Sequence, residues 1–341
     1  MPKDGNSIDK TAADAMAFAR PSRLFANARS AFKALLAALQ FRPGERILLP
    51  AYIGWSANEG SGVFDPVAEL NLPCEFYRVD DRLLIDVDDL ESRLRTGQVK
   101  ALTLIHYFGY VDPRYAECVR LARRYGACVI EDEAHALFSD WIGGVCGRLG
   151  DACVYSLHKM LPCQGGMLSV SSRHAALLER IPDNTENVQS PWSYDLCEIS
   201  RRRRENALFL ASLLKPLAEE LSLLREMPAD GQVPQTLPVL VRRASRDELY
   251  FALNEAGFGA VSLYHTLIPQ ISGDAFSDSH RLSRTILNLP VHQDVEPRQL
   301  EALADTLQQL VRSHDNRRPR FLSTRSCSVS DNTRDARPVS R

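Results

Sequence analysis

Val129-Ile130-Glu131-Asp132-Glu133-Ala134-His135-Ala136 is followed by Gly150-Asp151-Ala152, by Ser156-Leu157-His158-Lys159 and by Gln164-Gly165-Gly166. Ala127 to Ile130 is short, apolar and β-branched, as expected of a strand covered on both faces of a parallel sheet. It stops at the acidic pair Glu131-Asp132. Ligands of open α/β sheets bind outside the carboxyl ends of strands, so Asp132 stands where chemistry is expected. A second apolar strand, Ala152 to Tyr155, ends at Ser156, with Lys159 three residues on. Gly165 and Gly166 let backbone pass close to whatever lies there.

Taken singly, an Asp after a strand is more often a cap and a Lys is more often solvated surface. Together, and in this order, they match one cofactor, pyridoxal 5′-phosphate (PLP), which takes a lysine as Schiff base and a carboxylate as partner to its pyridinium nitrogen. Only a primary amine can hold the cofactor covalently and be displaced by a substrate amine, which makes Lys159 the nucleophile.

The order and spacing of these segments resemble the DegT/StrS family of aminotransferases among the fold-type I PLP enzymes. The resemblance continues through Leu49-Pro50-Ala51-Tyr52 with Trp55, and through His106-Tyr107-Phe108-Gly109, and covers roughly residues 20 to 312. It implies that Asp132 pairs with the pyridine nitrogen and Lys159 carries the cofactor. It places His135 near the ring or its 3-oxygen, Ser156 on the phosphate and Trp55 on the ring face, although Trp55 reads equally well as a core or interface aromatic. The family's Gly-Thr at the first helix is here Ala28-Arg29-Ser30, which keeps a backbone phosphate contact and adds an arginine; an ordinary capped helix start is the alternative. Tyr264-His265 and His292 resemble positions facing the cleft, where a histidine is more often a structural hydrogen-bonder. The implied reaction moves an amino group from an amino acid, usually glutamate, to a keto acceptor, in this family usually a nucleotide-linked sugar for antibiotic or surface-polysaccharide synthesis. The chain is shorter than is typical around Thr185 to Trp192 and in the small domain, regions that often help to hold the nucleotide.

Other reactions on the same fold remain as alternatives. A dehydratase of this fold replaces the lysine by histidine, whereas Lys159 is present with His158 beside it. A lyase or desulfurase needs a reactive loop group, for which Cys163 is the candidate. A non-catalytic regulatory or binding protein has no need of Lys159 and Asp132.

The 341 residues, 45% hydrophobic and 25% charged with net charge −2, fit a soluble globular chain with one large and one small domain, and give no electrostatic footprint for nucleic acid. Eight cysteines show no C-x-x-C pair and no zinc spacing, so no metal is assigned; Cys128 and Cys153 read as core residues of a reducing compartment. No secretory signal and no membrane-spanning run is legible, and a cytoplasmic homodimer is expected.

Strands alternating with helices, one strand over Glu75 to Asp80, predict a mostly parallel sheet, and no G-x-G-x-x-G follows the first strand, which disfavours a nicotinamide-binding fold. The expected fold class is α/β, PLP transferase fold type I. Its parts are an N-terminal arm (1–20), a large PLP-binding domain (21–195), a linking helix (196–232), a small α+β domain (233–313) with a strand expected over Phe258 to Leu263, and a disordered basic tail (314–341). The linking helix is read as running from Glu198 to about Leu224, with Arg201 to Arg204 as a solvated, salt-bridged face. The alternative for these arginines is that one reaches a cofactor or substrate phosphate across a dimer interface.

Overall fold

The structure is a computed structural model that describes residues 20–182, 189–226 and 228–317, with side chains to residue 313. The expected arm, apart from Arg20, and the expected tail beyond 317 lie outside the described residues. So does Thr185.

The chain begins with β1 (Ser22–Phe25), α1 (Ala28–Ala38), β2 (Arg46–Pro50), α2 (Phe64–Glu69), β3 (Cys74–Tyr77), α3 (Val87–Leu94) and β4 (Val99–Ile105). It continues through α4 (Tyr115–Arg124), β5 (Cys128–Asp132), α5 (Leu137–Trp141), β6 (Ala152–Ser156), β7 (Gly166–Val170) and α6 (Ala176–Glu179). Seven strands form one sheet in the order β1-β7-β6-β5-β4-β2-β3. From β3 through β6 every pairing is parallel, while β7 and β1 close one edge antiparallel.

Successive residues of a strand face opposite sides, and here both sides are covered. Leu48, Leu102 and Val129 pack with Leu90, Leu94, Cys118 and Val119 of α3 and α4. Their neighbours Ile47, Leu49, Ala101 and Ile130 pack with Phe32, Leu35 and Leu36 of α1. This is why the strands read as unbroken apolar runs rather than as alternating ones. The fold is α/β, as the sequence predicts.

The second part comprises α7 (Leu196–Leu214), β8 (Leu221–Leu223), β9 (Thr236–Val241), α8 (Arg246–Glu255), α9 (Ser277–Thr285), β10 (Ile286–Pro290) and α10 (Pro297–Arg317). Its antiparallel sheet, in the order β10-β9-β8, buries Leu237, Val239, Leu287 and Leu289 against Leu210 and Leu214 of α7 and Leu300, Leu303 and Leu307 of α10.

Several expectations need correcting. The linking helix stops ten residues before Leu224, because Pro216 in the turn after Leu214 cannot continue the hydrogen-bond ladder, and Leu221–Leu223 pairs with β9 instead. Phe258 to Leu263 is not a strand. Gly257 and Gly259 turn at φ 85° and 65°, and only Val261 bridges to Asn288. The strand expected up to Asp80 ends at Tyr77, and α10 carries regular backbone four residues past Ser313. Among the described residues no helix is long and apolar enough to cross a membrane.

Candidate active site

β5, β6 and β7 lie side by side, and their ends bring the quoted stretches together. Asp132 is the last residue of β5 and Ser156 the last of β6, while Gly166 opens β7 directly opposite Ser156. A 3-10 turn over Leu157–Lys159 then carries the lysine back across the strand ends.

Lys159 Nζ lies 2.9 Å from His135 Nε2, and His135 Nδ1 accepts the Phe108 N–H at 3.3 Å. An imidazole that accepts at Nδ1 carries its proton on Nε2, so the ring donates to a Lys159 amine that must be neutral. Burial pushes the Lys159 amine below its ordinary value, with Asp132 and Glu59 pulling the other way. Burial also holds His135 well below its ordinary value, and Lys159 adds to that. Asp132 is raised by burial and drawn back by the Ala134 N–H at 2.9 Å and by Lys159. A neutral amine beside a carboxylate is the protonation state a lysine nucleophile requires.

The His135 ring lies between Phe108 (5.5 Å, 13° between planes) and Tyr264 (6.0 Å, 24°). Tyr264 reaches in from beyond α8 at φ 62°, and its ring edge meets Tyr52 at 5.4 Å. A Cβ on Gly54 would sit 1.9 Å from Tyr264 Cδ1, so only glycine lets this ring enter.

A second cradle lies beside Ser156. A Cβ on Gly166 would come within 2.3 Å of both Asn27 C and Ala28 N, so the start of α1 is pressed against the start of β7. Asn27 caps the helix through its side chain, which accepts the Ser30 N–H at 2.8 Å. The Ala28 and Arg29 N–H groups have no intrahelical partner, as at any helix start. Those donors, the positive helix end and the Ser156 hydroxyl suit a phosphate. Donor set and cradle therefore both fit PLP: an amine, a carboxylate across from it, and an anion seat.

Other candidates stand elsewhere. The Arg29 guanidinium is engaged by the Glu59 carbonyl and by Asp65 at 3.5 Å rather than held over the helix start. Trp55 is 43% exposed, with its backbone N–H donating to the Thr266 carbonyl. His265 is exposed and bonds the Ser262 carbonyl, and His292 lies 3.5 Å from Asp294. Cys163 is buried among Met160, Leu161 and Met167, a poor place for a reactive thiol.

One arginine departs from the solvated reading. Arg201 pairs with Glu198 and Glu205, Arg202 with Glu296 and Arg204 with Asp230, but Arg203 is 3% exposed. Its guanidinium donates to the Met160 and Gln235 carbonyls and to Gln293, and burial lowers it to about 10. It thus ties the residue after Lys159 to the small sheet. Its position as the third of four arginines on a helix gives a hint only once the helix face is known.

The profile of the DegT/DnrJ/EryC1/StrS aminotransferase family matches residues 15–181, the segment that holds Asp132, His135, Ser156, Lys159 and Gly166. Residues 15–181 belong to this family. The chain is an enzyme of the aminotransferase class by that membership. An uncharacterised protein of Methanocaldococcus jannaschii is 32% identical over 95 residues, 27% of this chain and 24% of that one. The dTDP-4-dehydro-2,3,6-trideoxy-D-glucose 4-aminotransferase of Saccharopolyspora spinosa is 25% identical over 322 residues, 82% of either chain. Among solved structures, the aminotransferase TlmJ from Streptoalloteichus hindustanus superposes with a TM-score of 0.69 at 21% identity, covering 86% of each chain. That likeness supports the fold, a PLP-transferase architecture.

Proposed function

We propose that this chain is a PLP-dependent aminotransferase that takes an amino group from an amino acid, glutamate first among candidates, and passes it to the keto group of a nucleotide-linked sugar. The observation that carries the reading is the Lys159 amine, held by His135 at 2.9 Å and flanked by the Asp132 carboxylate. The acceptor class rests on the sugar-nucleotide aminotransferase among the relatives.

When bound, the cofactor supplies an electron sink for the pair released as a substrate C–H bond breaks. The protein's own groups do the rest. Lys159 Nζ takes the proton from the substrate carbon and returns it one position along, which needs the neutral amine that burial favours. His135 Nε2–H orients that amine. Asp132 would keep the proton on the pyridine nitrogen, Ser156 and the start of α1 would hold the phosphate, and Tyr264 covers the His135 side of the site. Water would supply the keto oxygen as the product keto acid leaves, and the keto acceptor would follow the same path in reverse and return that water. Seven free cysteines among the described residues accord with a cytoplasmic setting, and we infer a homodimer.

The test is the visible spectrum of the purified protein before and after glutamate, beside Lys159→Ala. A band that bleaches with glutamate and is unresponsive in the variant establishes the first half-reaction. A protein that gains no band when PLP is added removes the proposal.

A further inference from the structure

Behind the strand end that carries Asp132 lies a buried group of acids. Side chains alternate along a strand, so Glu131 and Glu133 point to the face opposite Asp132. Glu131, Glu133 and Asp140 are each no more than 1% exposed, and His106, Cys146 and Cys153 are buried with them. Two of the three carboxylates are fully engaged. Glu131 accepts from Tyr115 Oη at 2.8 Å, from the Gly147 and Gly150 N–H groups and from His106. Asp140 accepts from Arg20, Arg148 and Tyr155.

Glu133 is different. Its Oε2 takes only the Cys146 thiol at 3.2 Å, and its Oε1 has no hydrogen-bond partner. Oε1 lies 3.5 Å from His106 Nε2. A buried carboxylate oxygen without a partner is costly and calls for a cation or a proton.

The ligand atoms of His106, Glu133 and Cys146 all lie within 4.8 Å of one another. Zinc bound to nitrogen and oxygen at about 2.0–2.2 Å and to sulfur at about 2.3 Å sets tetrahedral ligands roughly 3.3–3.8 Å apart. Cys146 Sγ stands 3.2 Å from Glu133 Oε2 and His106 Nε2 stands 3.5 Å from Glu133 Oε1, so the carboxylate faces both other ligands at close to those separations.

We propose that His106, Glu133 and Cys146 form a structural zinc site on the far side of β5 from Lys159. One imidazole nitrogen, one thiolate and one carboxylate suit zinc, whereas magnesium and calcium want oxygen alone. A dication with one thiolate and one carboxylate sums to zero charge, and binding releases the Cys146 thiol proton to solvent. His106 meets the metal through Nε2, so its proton moves to Nδ1 and its hydrogen bond to Glu131 Oε2, 3.0 Å away, is given up, Glu131 keeping Tyr115 and the Gly147 and Gly150 N–H groups while the fourth metal position is left to water. The loop over Gly143 to Gly150, which brings Cys146 and the two N–H donors to Glu131, closes the site. The effect is to pin the strand end that presents Asp132.

The experiment is elemental analysis of the full-length protein, purified without a metal-affinity tag, after dialysis against a slight excess of zinc and then against metal-free buffer. About one zinc per chain is expected for the wild type and for Cys197→Ser, an exposed cysteine serving as control, with Glu133→Gln and Cys146→Ser below about a tenth of that. Glu133→Gln also separates the metal from a proton. A glutamine mimics the protonated acid, so a folded variant without zinc supports the site, while variants that retain wild-type zinc overturn it. If neither variant folds, the wild type is titrated with cobalt(II). A thiolate-to-cobalt charge-transfer band that zinc displaces upholds the site, and its absence, like a zinc-free wild type, overturns it.

Discussion

At the residue scale, the proposed function turns on the protonation of Lys159. Its folded pKa lies below the ordinary 10.5 because burial disfavours the ammonium, so the neutral amine is present at lower pH than on a surface lysine. In cofactor-free protein, an amine-directed reagent should modify Lys159 half-maximally below pH 10.5, followed by peptide mapping with Lys159→Ala as blank. Asp132 opposes the burial, so Asp132→Asn should shift that profile further down; an upward shift would remove Asp132 from the pair. Loss of Lys159 altogether should lower turnover by at least about 10²–10⁴-fold, the usual contribution of a positioned acid or base. His135 gives a stability signature. Its folded pKa is depressed, so as pH falls from about 7.5 to about 5.5 the unfolded chain takes up the proton first and stability declines. Urea midpoints of His135→Gln should lose part of that decline, while identical slopes for both proteins would place the ring in contact with solvent.

At the element scale, the proposed phosphate seat depends on how closely α1 approaches β7. Gly166→Ala puts a methyl group against the Asn27–Ala28 backbone, and neither strand nor helix can yield as a flexible side chain would. The expected cost is about 1–3 kcal/mol in denaturation, as for other overpacked sites, together with weaker retention of PLP on dialysis. Asn27→Ala removes the cap and should cost about 1 kcal/mol. A Gly166→Ala protein with unchanged cofactor retention would move the phosphate elsewhere. Arg203 joins α7 to the Lys159 turn and to the small sheet through three neutral oxygens. Arg203→Met leaves those acceptors unpaired and should destabilise by about 1–3 kcal/mol in urea denaturation.

At the scale of the whole molecule, the site is covered by Tyr264 on one side and bordered by the loop that carries the exposed Trp55 on another. Large exposed aromatics beside a cleft mark contact surfaces. The mass in solution is expected to be about twice 38.2 kDa by light scattering, and Trp55→Asp should shift it toward the single chain. A wild-type single-chain mass at working concentration would contradict the inferred homodimer.

The sequence alone was enough for the parallel sheet and the order of its carboxyl ends. Uninterrupted apolar runs such as Ile47-Leu48-Leu49 arise only where both faces are covered, and that periodicity is local. Asp132, Ser156 and Lys159 were legible for the same reason, since each stands at or just after the end of such a run. Local pattern misled where tertiary context decided. The apolar stretch to Leu224 looks helical until Pro216 ends the helix and β9 offers Leu221–Leu223 a partner, and Phe258 to Leu263 looks extended until two glycines turn it. Arg203 could not be told from its three neighbours, because which face of a helix is buried depends on what packs there. His106, Glu133 and Cys146 follow no metal spacing, since the residue after β4, the residue after β5 and the loop before β6 contribute one each. Only the folded sheet, by setting β4 beside β5 and wrapping that loop over their ends, brings the three within reach of one ion.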